Sequence, residues 1–162
     1  MPKFSIDVRF GGGLTPSQQK IFSKAAQRWQ QVITGDFPTF TQRGETFTSL
    51  VIQADAVEID KGGTAEGNKL GHARPTVLRP DGLPAKGEMS FDSFDLAAME
   101  AEGTFESVIL HEMGHVLGIG TLWKLKEVVL NSGSANPTFA GKRAKTEFGK
   151  LVKLSGSPLP LE

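Results

Sequence analysis

The chain has 162 residues, which suits one domain with a modest core or a slice of a larger one. Its 18 Lys and Arg balance 18 Asp and Glu, so no global field favours nucleic acid or an anionic membrane surface, and no apolar run approaches a membrane span. Cysteine is absent, which excludes disulfides and every thiolate zinc site and leaves His and carboxylates as the ligands for a metal.

Met1-Pro2-Lys3-Phe4 leads into an alternating segment with no signal-peptide core, so no targeting signal is expected here and secretion by another route stays open. Phe4, Ile6, Val8 and Phe10 alternate with Ser5, Asp7 and Arg9, the period-two pattern of a half-buried strand, which Gly11, Gly12 and Gly13 end. Thr15-Pro16-Ser17-Gln18 then combines a Thr N-cap, Pro at the first helical position and Gln three residues after the cap. A helix is expected to follow, with Phe22, Ala25, Trp29 and Val32 on its apolar face and Gly35 at its close. Residues 46–56 are rich in Val, Ile, Leu and Thr and predict a second strand, followed by the turn Lys61-Gly62-Gly63-Thr64.

Residues 70–78 predict another strand, in which Pro75 argues for an edge position or a bulge. Pro80, Gly82 and Pro84 punctuate a loop, residues 88–91 form a short strand, and Asp92 or Ser93 is expected to cap a helical run over 94–101. Gly103 breaks the chain before the next helix. Beyond that helix, residues 122–130 are apolar with Lys124 and Lys126 interspersed, and 131–137 are turn residues. Ala140, Ala144, Phe148 and Leu151 are spaced for one face of a helix over 139–154. No internal repeat and no dividing linker is found, and the element order indicates an α+β domain with helices packed on a small sheet.

The chemistry concentrates in His111-Glu112-Met113-Gly114-His115. Four residues are about one helical turn, so His111 and His115 point the same way and can share one ion. Tetrahedral Zn²⁺ takes imidazole nitrogens at about 2.0 to 2.1 Å, and two of its corners are thereby filled. Glu112 is placed at the edge of that site, where a carboxylate can take a proton from water and hand it to a leaving amine. A bare H-E-x-x-H also arises by accident in amphipathic helices. Here Val108, Ile109, Leu110, Val116 and Leu117 give the helix an apolar body, Thr104 is a candidate N-cap with Glu106 in the first turn, and Gly118 and Gly120 offer left-handed positions at its end. Gly114 inside the helix costs about 1 kcal/mol relative to Ala, which implies close approach of another backbone or a ligand. The plain alternative is two hydrogen-bonded histidines on a surface helix.

The stretch H-E-M-G-H-V-L-G-I-G-T-L-W, preceded by G-E-M-S-F-D, closely resembles the leishmanolysin-like metzincins, in particular their compact bacterial members. The likeness is strong over residues 71–123 and looser elsewhere, extending to the Pro-Leu-Pro-Leu-Glu end. It implies a zinc endopeptidase acting on protein or peptide, with metal ligands His111 and His115, general base Glu112, and Gly118 after the second His. It also implies a zincin-like N-terminal subdomain: a small twisted sheet with a backing helix and the active-site helix. The sheet's edge strand would hold extended substrate through main-chain hydrogen bonds. Residues 87–91 are the candidate for that edge, with an ordinary edge strand as the alternative.

Two departures from the family pattern follow. Many metzincins place a third His three residues after the helix-ending Gly, where this chain has Thr121; leishmanolysin-like proteins carry it far downstream with a Met-containing turn. No His or Met follows His115, so residues 1–162 are expected to be one metallopeptidase catalytic domain with its C-terminal subdomain incomplete. Glu147 is the substitute third ligand within the chain, set against a solvated carboxylate beside Lys145 and Lys150, and His72 is more readily an exposed or hydrogen-bonded residue than a ligand. No Tyr is present to steady an oxyanion. Asp92 and Asp95 invite Ca²⁺, but one capping and one exposed carboxylate explain them more cheaply. Trp29 and Trp123 are expected in the core. The other function class open to the chain is an inactive fragment or a non-enzymatic binding scaffold that keeps this fold without a third ligand.

Overall fold

The computed structural model describes residues 3–61, 63, 68–153 and 158–161. The chain divides into two compact units, Met1–Ile119 and Gly120–Glu162. The first runs through β1 (Ile6–Phe10), α1 (Pro16–Val32), β2 (Phe40–Gln42), β3 (Glu45–Phe47), β4 (Leu50–Val57), β5 (Gly71–Leu78), β6 (Pro84–Asp92), α2 (Leu96–Glu102) and α3 (Phe105–Val116). Helices combined with small sheets make the protein α+β, as its element order implies.

Four strands form the main sheet in the order β1-β4-β6-β5. β1, β4 and β6 are parallel, and β5 pairs antiparallel with β6 through Ala73↔Met89 and Arg74↔Glu88. The register shifts between Pro75 and Val77, so Pro75 sits where an edge position and a bulge were both foreseen. The expectation for residues 87–91 is corrected. They belong to a longer strand, β6, that is paired on both sides, and β5 and β1 are the edges. The alternating burial of β6 is compatible with either position; partners, which are long-range, decide between them. The strand expected over 46–56 is two elements: β3 pairs with β2 as a short hairpin, and β4 alone enters the main sheet. Of the turn foreseen at 61–64, Gly62 and Thr64 lie outside the described residues.

α1 begins as its sequence requires. Thr15 Oγ1 accepts from the Gln18 N–H at 3.3 Å, and Gln18 Oε1 accepts from the Thr15 N–H at 2.8 Å. The helix ends at Val32 with Ile33 as C-cap, not at Gly35, and Val32 is 54 % exposed, so the apolar face stops at Trp29. Trp29 is part-buried and its indole N–H donates to the Leu110 carbonyl at 3.1 Å, tying α1 to α3. Phe22 of α1 is fully buried and meets Phe10, Phe91 and Phe105 edge-to-face at 5.6, 5.4 and 5.9 Å. Each such pair contributes about 0.5 to 1.5 kcal/mol beyond area burial. One aromatic cluster thereby joins β1, α1, β6 and α3.

α3 lies close on the sheet because Gly87 of β6 has no side chain. A Cβ there would fall inside the van der Waals shell of Val116 Cγ1 and 2.8 Å from the Arg74 carbonyl oxygen. α2 is capped by position at Asp95, not at Asp92 or Ser93.

In the second unit, β7 (Val129–Leu130), β8 (Thr138–Phe139) and β9 (Leu159–Pro160) form an antiparallel sheet in the order β7-β8-β9, with α4 (Lys142–Leu151) between β8 and β9 in the chain. The helix foreseen over 139–154 starts later because Phe139 is taken into strand pairing with Val129 and Leu159; Leu154 lies outside the described residues. Leu151, expected on its apolar face, is exposed. Trp123 is half-buried and packs on Phe139 at 4.9 Å. Among the described residues, no helix is long and apolar enough to cross a membrane.

Candidate metal centre

The C-terminal end of α3 shapes the site. Leu117 is the C-cap and Gly118 follows at φ 99°, a left-handed position that costs other residues about 1 to 2 kcal/mol. The Gly118 N–H donates to the His115 carbonyl at 3.1 Å, and the Ile119 N–H reaches back to Gly114 at 2.9 Å. This is the double hydrogen-bond pattern of a Schellman turn. It aims the Ile119 carbonyl at His115, whose Nδ1 lies 2.9 Å from that oxygen. At the other end, Thr104 occupies the N-cap position, but its hydroxyl donates to the Met99 carbonyl at 3.4 Å and makes no side-chain cap. Gly114 is not required by close approach of another backbone: a Cβ there would meet Trp29 Cζ2 at 3.5 Å, ordinary contact.

A carbonyl only accepts, so His115 Nδ1 carries the proton of that hydrogen bond, and in the neutral ring Nε2 is left with a lone pair. That nitrogen is 3.0 Å from His111 Nε2, with the rings at 86°. Two nitrogens about 2.0 to 2.1 Å from one tetrahedral ion are roughly 3.3 Å apart, so the observed pair fits a shared ion with little adjustment. Glu112 is 9 % exposed, and its Oε2 is buried without a hydrogen-bond partner among the described residues. His111, Glu112 and His115 each bring a ligand atom within 4.8 Å of the others. The donor set of two imidazoles beside a carboxylate is one that zinc accepts.

His111 and Glu112 open onto a cleft of about 470 Å³. Ser107 and Val108 of α3 line it on their side, and residues 68–71, which lead into β5, line it on the other. No family model and no curated protein matches the chain. The geometry therefore carries the functional reading.

His72 is exposed on β5, and no His, Asp or Glu of the first unit besides Glu112 joins the group around His111 and His115 among the described residues. Glu147 is exposed on α4, where its Oε1 accepts from Lys150 Nζ at 2.7 Å, the solvated role weighed for it. Of Asp92 and Asp95, Asp95 holds the N-cap position of α2, but neither is an exposed carboxylate: both are buried, at 0 % and 9 % exposure. Reasoning from side-chain spacing reaches His111, Glu112 and His115. It misses Ile119, whose contribution is a backbone carbonyl; the one signal for it is Gly118, which marks the turn that aims that carbonyl.

Proposed function

We propose that the chain carries the catalytic half-site of a zinc-dependent endopeptidase of the leishmanolysin-like metzincin kind. The observation that supports it most is the facing pair of Nε2 atoms at 3.0 Å beside a buried carboxylate oxygen without a partner. His111 and His115 would hold the metal through Nε2. Bound there, Zn²⁺ supplies Lewis acidity toward a water and a scissile carbonyl.

The chain's own residues do the rest. The Ile119 carbonyl keeps His115 in the tautomer whose Nε2 lone pair is available. Glu112 Oε2 takes a proton from the attacking water and returns it to the leaving amine. The zincin-like part of this reading draws on a sheet that ends in an antiparallel edge strand, with the motif helix packed against it. β5, not β6, is the strand for an extended peptide: among the described residues no strand pairs with its outer edge, and Gly71 at its start lines the cleft beside His111.

A second reading, a non-enzymatic binding scaffold, draws on the two imidazoles having, among the described residues of the first unit, no further His, Asp or Glu beside them except Glu112. One experiment separates the two. Zinc-supplemented protein is incubated with an unfolded protein substrate, with Glu112→Ala as control. Cleavage by the wild type that falls about 10²-fold or more in the variant supports the peptidase; no cleavage, or cleavage that the substitution leaves intact, contradicts it.

A further inference from the structure

We infer that Asp60, Asp92 and Asp95 form a second cation site, for a hard divalent ion of the Ca²⁺ class, that anchors residues 68–71 in the wall of the cleft. The three residues come from the segment after β4, the end of β6 and the turn before α2. A carboxylate oxygen of each lies within 4.8 Å of the other two. Asp92 is fully buried, Asp95 is 9 % exposed, and Asp60 is half-buried. Asp95 Oδ1 accepts from Asn68 Nδ2 at 3.1 Å, while its Oδ2 is buried with no partner among the described residues.

Three carboxylates this close repel one another when ionised, and burial enlarges the repulsion. Among the described residues neither Asp60 nor Asp95 is in an ion pair with Lys or Arg. A divalent ion offsets that charge and gives Asp95 Oδ2 the partner it lacks. An all-oxygen donor set selects a hard cation over zinc, and Ca²⁺ tolerates the irregular coordination that carboxylates from three segments impose, whereas Mg²⁺ demands a near-ideal octahedron.

Two of these carboxylates and the backbone of the third residue hold the cleft wall. Asp60 Oδ2 accepts from the Lys69 N–H at 2.8 Å, Asp95 holds the Asn68 amide, and the Asp92 N–H donates to the Leu70 carbonyl at 2.9 Å. Three successive residues beside His111 and Glu112 therefore hang from the proposed site. Loading it orders the wall that leads into β5. The site stands whether or not His111 and His115 hold zinc.

The test is calorimetric titration of the chelator-treated full chain with CaCl₂, zinc omitted, together with amide exchange of the wild type with and without Ca²⁺. One Ca²⁺ per chain is expected, with Kd no weaker than about 10⁻³ M, and slower exchange at residues 69–71. Asp95→Asn and Asp60→Asn each weaken binding on the order of tenfold, while the double variant His111→Ala, His115→Ala leaves it unchanged. The proposal is overturned if the wild type takes up no Ca²⁺ in the millimolar range, if exchange at 69–71 does not respond, or if a well-folded Asp variant binds as the wild type does. Exchange on the wild type locates the ion even where an Asp variant fails to fold.

Discussion

A buried carboxylate oxygen left without a hydrogen bond costs about 1 to 3 kcal/mol, and more when it is charged. Glu112 Oε2, which has no partner among the described residues, stands in that condition beside two imidazoles, as expected of a group kept for chemistry. His115 shows how the neighbourhood serves it. Its ring is oriented by a carbonyl that exists in that position only because Gly118 adopts φ 99°. Gly118→Ala should therefore strain the turn by about 1 to 2 kcal/mol and weaken zinc binding on the order of tenfold through loss of the Ile119 hydrogen bond. Competition with a chromophoric chelator measures it; unchanged affinity would show that the Ile119 carbonyl does not orient the ligand. The three motif residues were legible because helical spacing alone puts His111 and His115 on one face. The acidic cluster was legible only in part: Asp92 and Asp95 stand out in the sequence, but Asp60 is 32 residues away from Asp92 in the chain, and only folding brings it to the other two.

Among the elements, α3 is positioned by what β6 lacks. Gly87→Ala places a methyl group against Val116 and the Arg74 carbonyl, an overpacking expected to destabilise the protein by about 1 to 3 kcal/mol. Urea unfolding should show a lower midpoint, and an unchanged midpoint would mean that α3 shifts freely. The start of α1 could be read residue by residue, since Thr15, Pro16 and Gln18 act on their own neighbours. The order of the sheet could not. Alternation along residues 84–92 specifies a strand with two faces, and whether one or both of its edges are paired depends on β4 and β5. The short strands β2, β3, β7, β8 and β9 span two or three residues each, less than a hydrophobic period needs to declare itself.

At the scale of the whole molecule, the first unit contains the aromatic cluster, the motif helix, the cleft and the acidic triad. The groups proposed for chemistry therefore rest on one sheet and the helices packed against it, which is the rigid support a preorganised site needs. The central claim is that His111 and His115 jointly hold zinc. Its most direct measurement is the zinc content of the purified chain after equilibrium dialysis against buffered Zn²⁺, compared with His111→Ala and His115→Ala. One zinc per chain in the wild type, lost in both variants, is the predicted result; zinc content that either variant retains in full would contradict it.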